Sequence, residues 1–246
     1  MGSSTNFFGI SSILKQQDGV ITRLEENYKE IRREISDTKQ ELKKSEEHSA
    51  FLEDKVVPRL IAGKLDGLRL GVIMVGTFDM QEESEEIPLT QLMAAGASIG
   101  FRLRTNLDQL DEMSGGDTGS FVPQLGKELL NGSAFGSGYT DVFMKEGLVV
   151  SGGFEKPVDG ILFILCEDLD LRLFREILIP LENLMRKNGG IVTNTSFGEN
   201  ETMFQVLRFT QSPLIKNIET LDGQVKLITS LTEIFKQKQG LKKSGA

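Results

Sequence analysis

The sequence predicts an α/β protein in which a long N-terminal coiled-coil helix is followed by a Rossmann-like domain of three α/β/α layers with a mainly parallel sheet. Two observations carry this prediction. An apolar seam with a seven-residue period runs from Leu14 to Val56 and stops before Pro58. The order strand, helix, glycine, strand then occurs twice, and this order is the repeating unit of a parallel α/β sheet. We therefore expect a dimerisation helix in residues 1–57 and an α/β domain in residues 58–246.

The N-terminal seam advances in alternating steps of three and four residues. A strict seven-residue repeat keeps its apolar stripe toward a partner only when two helices supercoil, because a straight helix drifts out of register. Isoleucine at the first core position of the repeat (a), in Ile21 and Ile35, with Leu24 at the second (d), favours a parallel pair. The predicted homodimer contacts are Leu14, Ile21, Leu24, Tyr28, Ile31, Ile35, Leu42, Leu52 and Val56.

Polar residues weaken the second half of this seam, at Thr38, Ser45 and Ser49. The alternative interpretation is an amphipathic helix that folds back on its own domain. A helix of this length would reach roughly 60 Å, however, which is too long for one small domain to cover.

The first strand-helix-strand unit begins at residues 68–75, an apolar run typical of a buried strand. Residues 77–88 are acidic and predict a loop. Residues 89–96 predict the end of a helix closed by a glycine, and residues 98–104 predict the second strand.

A glycine-rich insertion at about residues 106–147 separates the two units, with one helix predicted near residues 122–130. Glycine is costly to order, so we expect residues 115–138 to be mobile. Phe121 and Phe135 lie within this segment and are our candidates for a partner-binding surface, since loops on a rigid scaffold often carry function.

The second unit predicts a strand at residues 160–166, an amphipathic helix at 171–187 and a strand at 191–195. Pro180 should kink that helix or mark its start, because proline lacks a backbone N–H. In the tail, turn residues predict a short strand or loop at residues 213–218 and a turn at 220–223. Apolar spacing predicts a final helix at 225–235.

Charge and composition exclude several classes of function. The net charge of −8 argues against a nucleic-acid binder, which would present a basic face. One cysteine and one histidine cannot form a disulfide or a multi-ligand metal cage within one chain. Cys166 is a weak candidate metal ligand and is better explained as a buried thiol. No glycine motif for a dinucleotide or a P-loop follows the first strand, so we predict no catalytic residue and no cofactor.

Four acidic residues near the second unit have two interpretations. Carboxylates at Asp159, Glu167, Asp168 and Asp170 could hold a hard cation. The favoured alternative is that they are solvated and cap the helix that follows.

Membrane signals are missing from the sequence as given. No apolar run approaches the roughly 18 residues that cross a bilayer, and the first ten residues lack a signal peptide's basic start and apolar core. The sequence as given is therefore expected to be soluble.

Three segments carry a resemblance that spans nearly the whole chain: LKQQDGVITRLEENYKEIRREI, VVPRLIAGKLDGLRLGVIMVG and SPLIKNIETLDGQVKLITSL. Their order resembles the family that holds the copper transport protein MctB and the cell-division-associated protein SteB. Glu219 stands in the last segment where members of that family often have aspartate. The resemblance implies a short cytoplasmic start, one membrane span, a coiled coil and an extracytoplasmic α/β domain. The span would lie upstream of residue 1, and copper is implied by the resemblance alone.

The resemblance thus implies a non-enzymatic, membrane-anchored protein on the extracytoplasmic face of a bacterial cell membrane. It would dimerise through its coiled coil and bind an envelope or division partner in copper transport or cell-wall processes. The alternative is a small-molecule-binding or hydrolytic α/β enzyme that uses the cleft at the carboxyl ends of the strands. Convergent polar groups in that cleft would favour the enzyme, and a closed apolar crevice would favour the scaffold.

Overall fold

A computed structural model describes residues 29–33, 35–45, 47, 51–76, 82–132, 138–166, 169–196 and 210–244. The chain divides into two compact units, Met1–Val56 and Val57–Ala246. In the first unit, residues 29–33, 35–45, 47 and 51 are α-helical and are called here the N-terminal helical segment. A π-helical turn, Leu52–Val56, closes that unit.

The second unit is α/β. Its strands are β1 (Arg69–Val75), β2 (Ser98–Thr105), β3 (Val149–Gly152), β4 (Gly160–Leu165), β5 (Ile191–Ser196) and β6 (Leu214–Ile215). Its helices are α1 (Val57–Ile61), α2 (Glu82–Ala94), α3 (Leu107–Ser114), α4 (Thr118–Asn131), α5 (Tyr139–Lys145), α6 (Leu171–Leu173 and Ile179–Lys187, joined by the π-helical turn Phe174–Leu178) and α7 (Leu221–Ser244).

The described strands form one six-stranded sheet in the order β3-β2-β1-β4-β5-β6. All neighbours are parallel except β3, which runs antiparallel to β2 at one edge. The predicted α/β class with a mainly parallel sheet is confirmed. The antiparallel edge strand β3 was not predicted, because its four residues carry too weak a pattern to recognise.

Helices cover both faces of the sheet. Alternate residues of β1 point to opposite faces, so Ile73 and Val75 join one apolar core while Val72 and Met74 join the other. Helices α3, α4, α5 and α6 pack on the first face, and α1, α2 and α7 pack on the second. Strands buried on both sides explain the continuous apolar runs of β1 and β4.

The glycine-rich insertion is the largest correction to the sequence prediction. Residues 107–131 and 139–145 are largely helical, so the expected irregular flap at residues 115–138 is instead a helix where it lies in α4, and its mobility stays a prediction. Gly115 adopts the left-handed conformation (φ 57°) that ends α3. Gly126 lies inside α4, where an added Cβ would come within 2.9 Å of Leu184. These glycines serve a helix end and a close contact between helices.

Phe121 is fully buried, with its ring centroid 4.7 Å from that of Tyr139 in an edge-to-face pair. It is therefore part of the core, and the prediction that it forms an exposed partner surface is corrected. Phe135 lies outside the described residues.

Two boundaries also differ from the prediction. Residues 82–88, predicted as part of an acidic loop, belong to α2, because acidic residues are also favoured in the first turn of a helix. Helix α7 begins at Leu221, so the turn predicted at residues 220–223 is wrong.

Pro180 marks a helix start, as one of the two predicted alternatives has it: the α-helical part Ile179–Lys187 of α6 begins one residue before it, directly after the π-helical turn. Proline in an α-helix loses its hydrogen bond and clashes with the carbonyl four residues back. The turn Phe174–Leu178 widens instead, and the N–H of Ile179 donates to the carbonyl oxygen of Phe174, five residues back. Pro58 follows the π turn Leu52–Val56 at the same offset.

Candidate functional site

The carboxyl ends of β1 and β4 meet where the strand order reverses, which is where α/β sheets usually bind ligands. Gly76 follows β1 and Cys166 follows β4, and the Cys166 N–H donates to the carbonyl oxygen of Val75 at 3.1 Å. A Cβ on Gly76 would overlap the Cys166 sulfur and lie 3.4 Å from Leu169. Cys166 is 7% exposed. The Cys166 thiol and Leu169 therefore lie close to Gly76 on one side, and Gly76 also lines an open groove at this edge.

No group of three or more His, Cys, Asp or Glu residues that could hold a metal is found in the described part of the chain. Asp159 and Asp170 lie at opposite ends of β4. The Asp159 carboxylate accepts the Arg69 N–H at 3.0 Å, and the Asp170 carboxylate caps α6 by accepting the N–H groups of Arg172 and Leu173. Capping is thus the role of Asp170, while Glu167 and Asp168 lie outside the described residues.

A groove of about 420 Å³ opens beside this edge, at the end of β2. Its polar groups bond to one another: Thr105 Oγ1 and the Asn106 N–H both donate to Gln109 Oε1, and the Gln109 N–H donates to Asn106 Oδ1 at 2.7 Å. This reciprocal pair is a capping box that begins α3. The lining comprises Gly76, Arg104, Thr105, Asn106, Gln109, Gly147, Leu148 and Val150.

The least expected chemistry lies around β5. All six of its residues are buried, although four of them are polar. Glu182 of α6 is fully buried against this strand, and Asn194 Nδ2 donates to Glu182 Oε2 at 3.0 Å. Several side-chain atoms of β5, together with Glu182 Oε1 and Ser212 Oγ, are buried without a hydrogen-bond partner; those of β5 are Thr193 Oγ1, Asn194 Oδ1 and Ser196 Oγ. We call Glu182, Asn194, Ser196 and Ser212 the β5 polar cluster.

Burial raises the pKa of Glu182 to about 7 from an ordinary value of 4.5. The Asn194 amide, the nearby Ser212 hydroxyl and the charge of Arg186 oppose this shift but do not outweigh desolvation. Ser212 lies beside the carboxyl without a well-formed hydrogen bond to it. A carboxyl in this state can gain or lose a proton near neutral pH.

Sequence reasoning missed Glu182, although a signal was present. Glu182 follows Leu178 by four residues and precedes Met185 by three, which places it on the apolar face of the predicted helix. A predicted strand with four consecutive polar residues, IVTNTS, was the second part of that signal.

The segment NIETLDG, which carried much of the family resemblance, has a structural role. Asn217 adopts a left-handed conformation (φ 52°), and the hydroxyl of Thr220 donates to its carbonyl oxygen at 2.7 Å. The same hydroxyl accepts the Gly223 N–H and so begins α7. A Cβ on Gly223 would overlap the Asn217 carbonyl. These residues are therefore required for the chain to enter α7.

The predicted dimer seam is only partly described. Leu14, Ile21, Leu24 and Tyr28 lie outside the described residues. Ile31, Ile35 and Leu42 are α-helical and 52%, 51% and 58% exposed. The last two seam residues, Leu52 and Val56, fall in the π turn and are half-buried, so the regular α-helical period stops before them.

Among the described helices, none is both long and apolar enough to span a bilayer. Comparison with models of protein families finds no match, and comparison with curated proteins finds none either.

Proposed function

We propose that this protein is a non-enzymatic, membrane-anchored component of the bacterial cell envelope that dimerises through its N-terminal helix and presents its α/β domain to a protein partner. One observation carries the proposal. Ile31, Ile35 and Leu42 are spaced by four and seven residues, and each is more than half exposed. Apolar side chains at this spacing share one face of a helix.

Exposed isoleucine and leucine side chains favour association, because full burial of each one stabilises the complex by about 1.5–3 kcal/mol. Charged residues around the stripe, including Lys29, Glu30, Arg33 and Lys39, are exposed and form the solvated faces of the helix. The exposed ion pair between Lys43 and Glu47, 3.9 Å apart, adds little. Dimerisation in a parallel coiled coil would bury the stripe and leave the charges in water.

The buried Cys166 thiol beside Gly76 leaves little room directly between the ends of β1 and β4, and this supports a scaffold over an enzyme that would use that position. The membrane span, the extracytoplasmic location, the envelope or division partner and any link to copper rest on the resemblance to the MctB and SteB family.

Dimerisation can be tested by changing Ile31 and Ile35 together to asparagine and measuring molar mass by sedimentation at tens of micromolar. We expect the unaltered chain to be a dimer and the variant to be a monomer whose α/β domain unfolds as before. The matched control changes Arg33 and Asp37, exposed residues off the stripe, to asparagine and should stay dimeric. A monomeric unaltered chain would overturn the proposal.

The second candidate function is small-molecule binding or hydrolysis in the groove beside β2, and its volume of about 420 Å³ is what favours it. Val150 lines this groove and is 48% exposed. If the groove is a binding site, mononucleotides or simple esters should shift the thermal midpoint of the protein, and Val150→Trp should abolish that shift by filling the groove.

A further inference from the structure

We propose that Glu182 and Asn194 form a cyclic acid–amide pair that depends on one proton, and that this pair makes the α/β domain a pH-sensitive fold. The pair joins α6 to β5 in the interior. Both side chains are fully buried, and the bond from Asn194 Nδ2 to Glu182 Oε2 measures 3.0 Å.

The two remaining oxygens of the pair indicate where the proton lies. Glu182 Oε1 and Asn194 Oδ1 are both buried without a hydrogen-bond partner. Both are acceptors when the carboxyl is ionised, so neither can satisfy the other. A proton on Oε1 turns that atom into a donor, and the O–H can then bond to Asn194 Oδ1. The carboxyl and the carboxamide would thereby share two reciprocal hydrogen bonds, and a single proton would satisfy both orphaned atoms.

Among the described residues around Glu182, none is a buried cation that would keep its carboxyl ionised. From β5 and the segment before β6, the groups in the cluster are the neutral side chains of Asn194, Ser196 and Ser212. Arg186, one turn along α6, acts on the carboxyl but is half exposed.

Charged groups on neighbouring elements are engaged elsewhere or lie in water. On α4, which packs on α6, Lys127 is exposed and the Glu128 carboxylate accepts hydrogen bonds from Thr140. In the π turn of α6, Arg175 is exposed and Glu176 pairs with Arg172 at 3.2 Å. Among the described groups, an ionised Glu182 would therefore have only the Asn194 amide, the Ser212 hydroxyl and the half-exposed Arg186 to compensate its burial, which does not outweigh desolvation.

The direction of the pH effect follows from the pKa of Glu182, which burial raises to about 7 from 4.5. The folded state binds the proton more tightly than the unfolded state does. The contribution of the pair is fully present below about pH 4.5 and is lost as the pH rises through about 7. Within that window the equilibrium constant for unfolding should increase by about tenfold for each pH unit.

The test compares the unaltered protein with Glu182→Gln in urea unfolding at about pH 5 and about pH 8. Glutamine can form the same two hydrogen bonds without a titrating proton, so the variant should lose the tenfold-per-unit dependence. Its free energy of unfolding should equal that of the unaltered protein at about pH 5 and exceed it at about pH 8. Glu176→Gln, an exposed change on the same helix, is the matched control and should keep the original dependence.

An equal pH dependence in Glu182→Gln and the unaltered protein would overturn the proposal, as would a variant that is less stable at about pH 8. A second measurement needs no variant. The infrared carbonyl band of a protonated carboxyl should disappear between about pH 6 and about pH 8 in the folded protein, because ordinary carboxyls have already ionised. Absence of that band at the lower pH would show that Glu182 carries no proton and would equally overturn the proposal.

Discussion

Strands β4 and β5 lie side by side in the sheet, run parallel, and have six residues each, all of them buried. Their chemistry differs sharply. Strand β4 reads GILFIL and presents apolar side chains to both cores, whereas β5 reads IVTNTS and presents two hydroxyls and an amide among its four central residues. Apolar burial is indifferent to partners, but a buried polar group is unfavourable until it is hydrogen-bonded. We infer that β4 contributes stability at any pH, whereas the contribution of β5 depends on whether its buried polar groups are hydrogen-bonded, and so on pH.

The hydroxyls of β5 differ among themselves in the same way. Thr195 Oγ1 donates to the carbonyl oxygen of Phe163 on β4 at 2.9 Å. Thr193 Oγ1 is buried without a partner. One strand therefore contains a satisfied and an unsatisfied threonine, both fully buried.

The largest expected effect is on β4. Leu162→Ala should lower the free energy of unfolding by about 2–5 kcal/mol, because a fully buried side chain in the core on the other face of the sheet from Asn194 is lost and a cavity remains. The loss should be the same at about pH 5 and about pH 8, since no titrating group is involved. Urea unfolding at both values measures it, with Val150→Ala on the exposed edge strand as a control that should cost little. A loss that depends on pH would mean that β4 and β5 are not separable in this way.

A smaller loss of unfolding free energy, which depends on pH, is expected from a change in β5. Asn194→Leu removes the donor to Glu182 Oε2 and should cost about 1–3 kcal/mol. The cost should be greater at about pH 8 than at about pH 5, because an ionised carboxyl without its donor is harder to bury. The same urea unfolding series measures the difference. A cost that is equal at the two pH values would remove the distinction between the two strands.

The smallest effect separates the two threonines. Thr195→Val should cost about 1 kcal/mol by breaking the bond to Phe163, whereas Thr193→Val should be neutral or stabilising because it removes an unsatisfied hydroxyl. Thermal unfolding of the matched pair gives the comparison directly. If Thr193→Val proved the more damaging of the two, its hydroxyl would have to be bonded in solution.

The strands that the sequence predicted well are those with one unambiguous pattern. Residues 68–75 and 160–166 are apolar runs whose length and composition are typical of strands buried on both faces of a sheet. Strands β1 and β4 occupy these two runs. The prediction failed where one residue type serves two roles. Gly115 and Gly126 suggested mobility, but glycine also ends helices and permits close packing, and tertiary contacts decide between these roles.

The site was harder to predict than the fold. A glutamate on a helix is usually solvated, so Glu182 carried no weight until its burial was known. Cys166 drew attention as the one cysteine, and its position confirms a buried thiol at a strand end. The partner of the N-terminal seam stays a prediction, because a repeat indicates that a helix associates and leaves the dimer itself to experiment.

The widened turn before Pro180 has an angular consequence for the carboxyl that follows it. In a regular α-helix each residue advances by about 100°, so Phe174 and Glu182, eight residues apart, would be rotated by about 80° from one another. Both nevertheless face the sheet: Phe174 lies in the first apolar core, and Glu182 bonds to Asn194 of β5, which lies opposite Phe163 of that core. The π turn adds a residue without adding a full turn's rotation, and so brings the two into phase. The π turn that accommodates Pro180 thus determines the direction in which the carboxyl of Glu182 points, two residues after the proline.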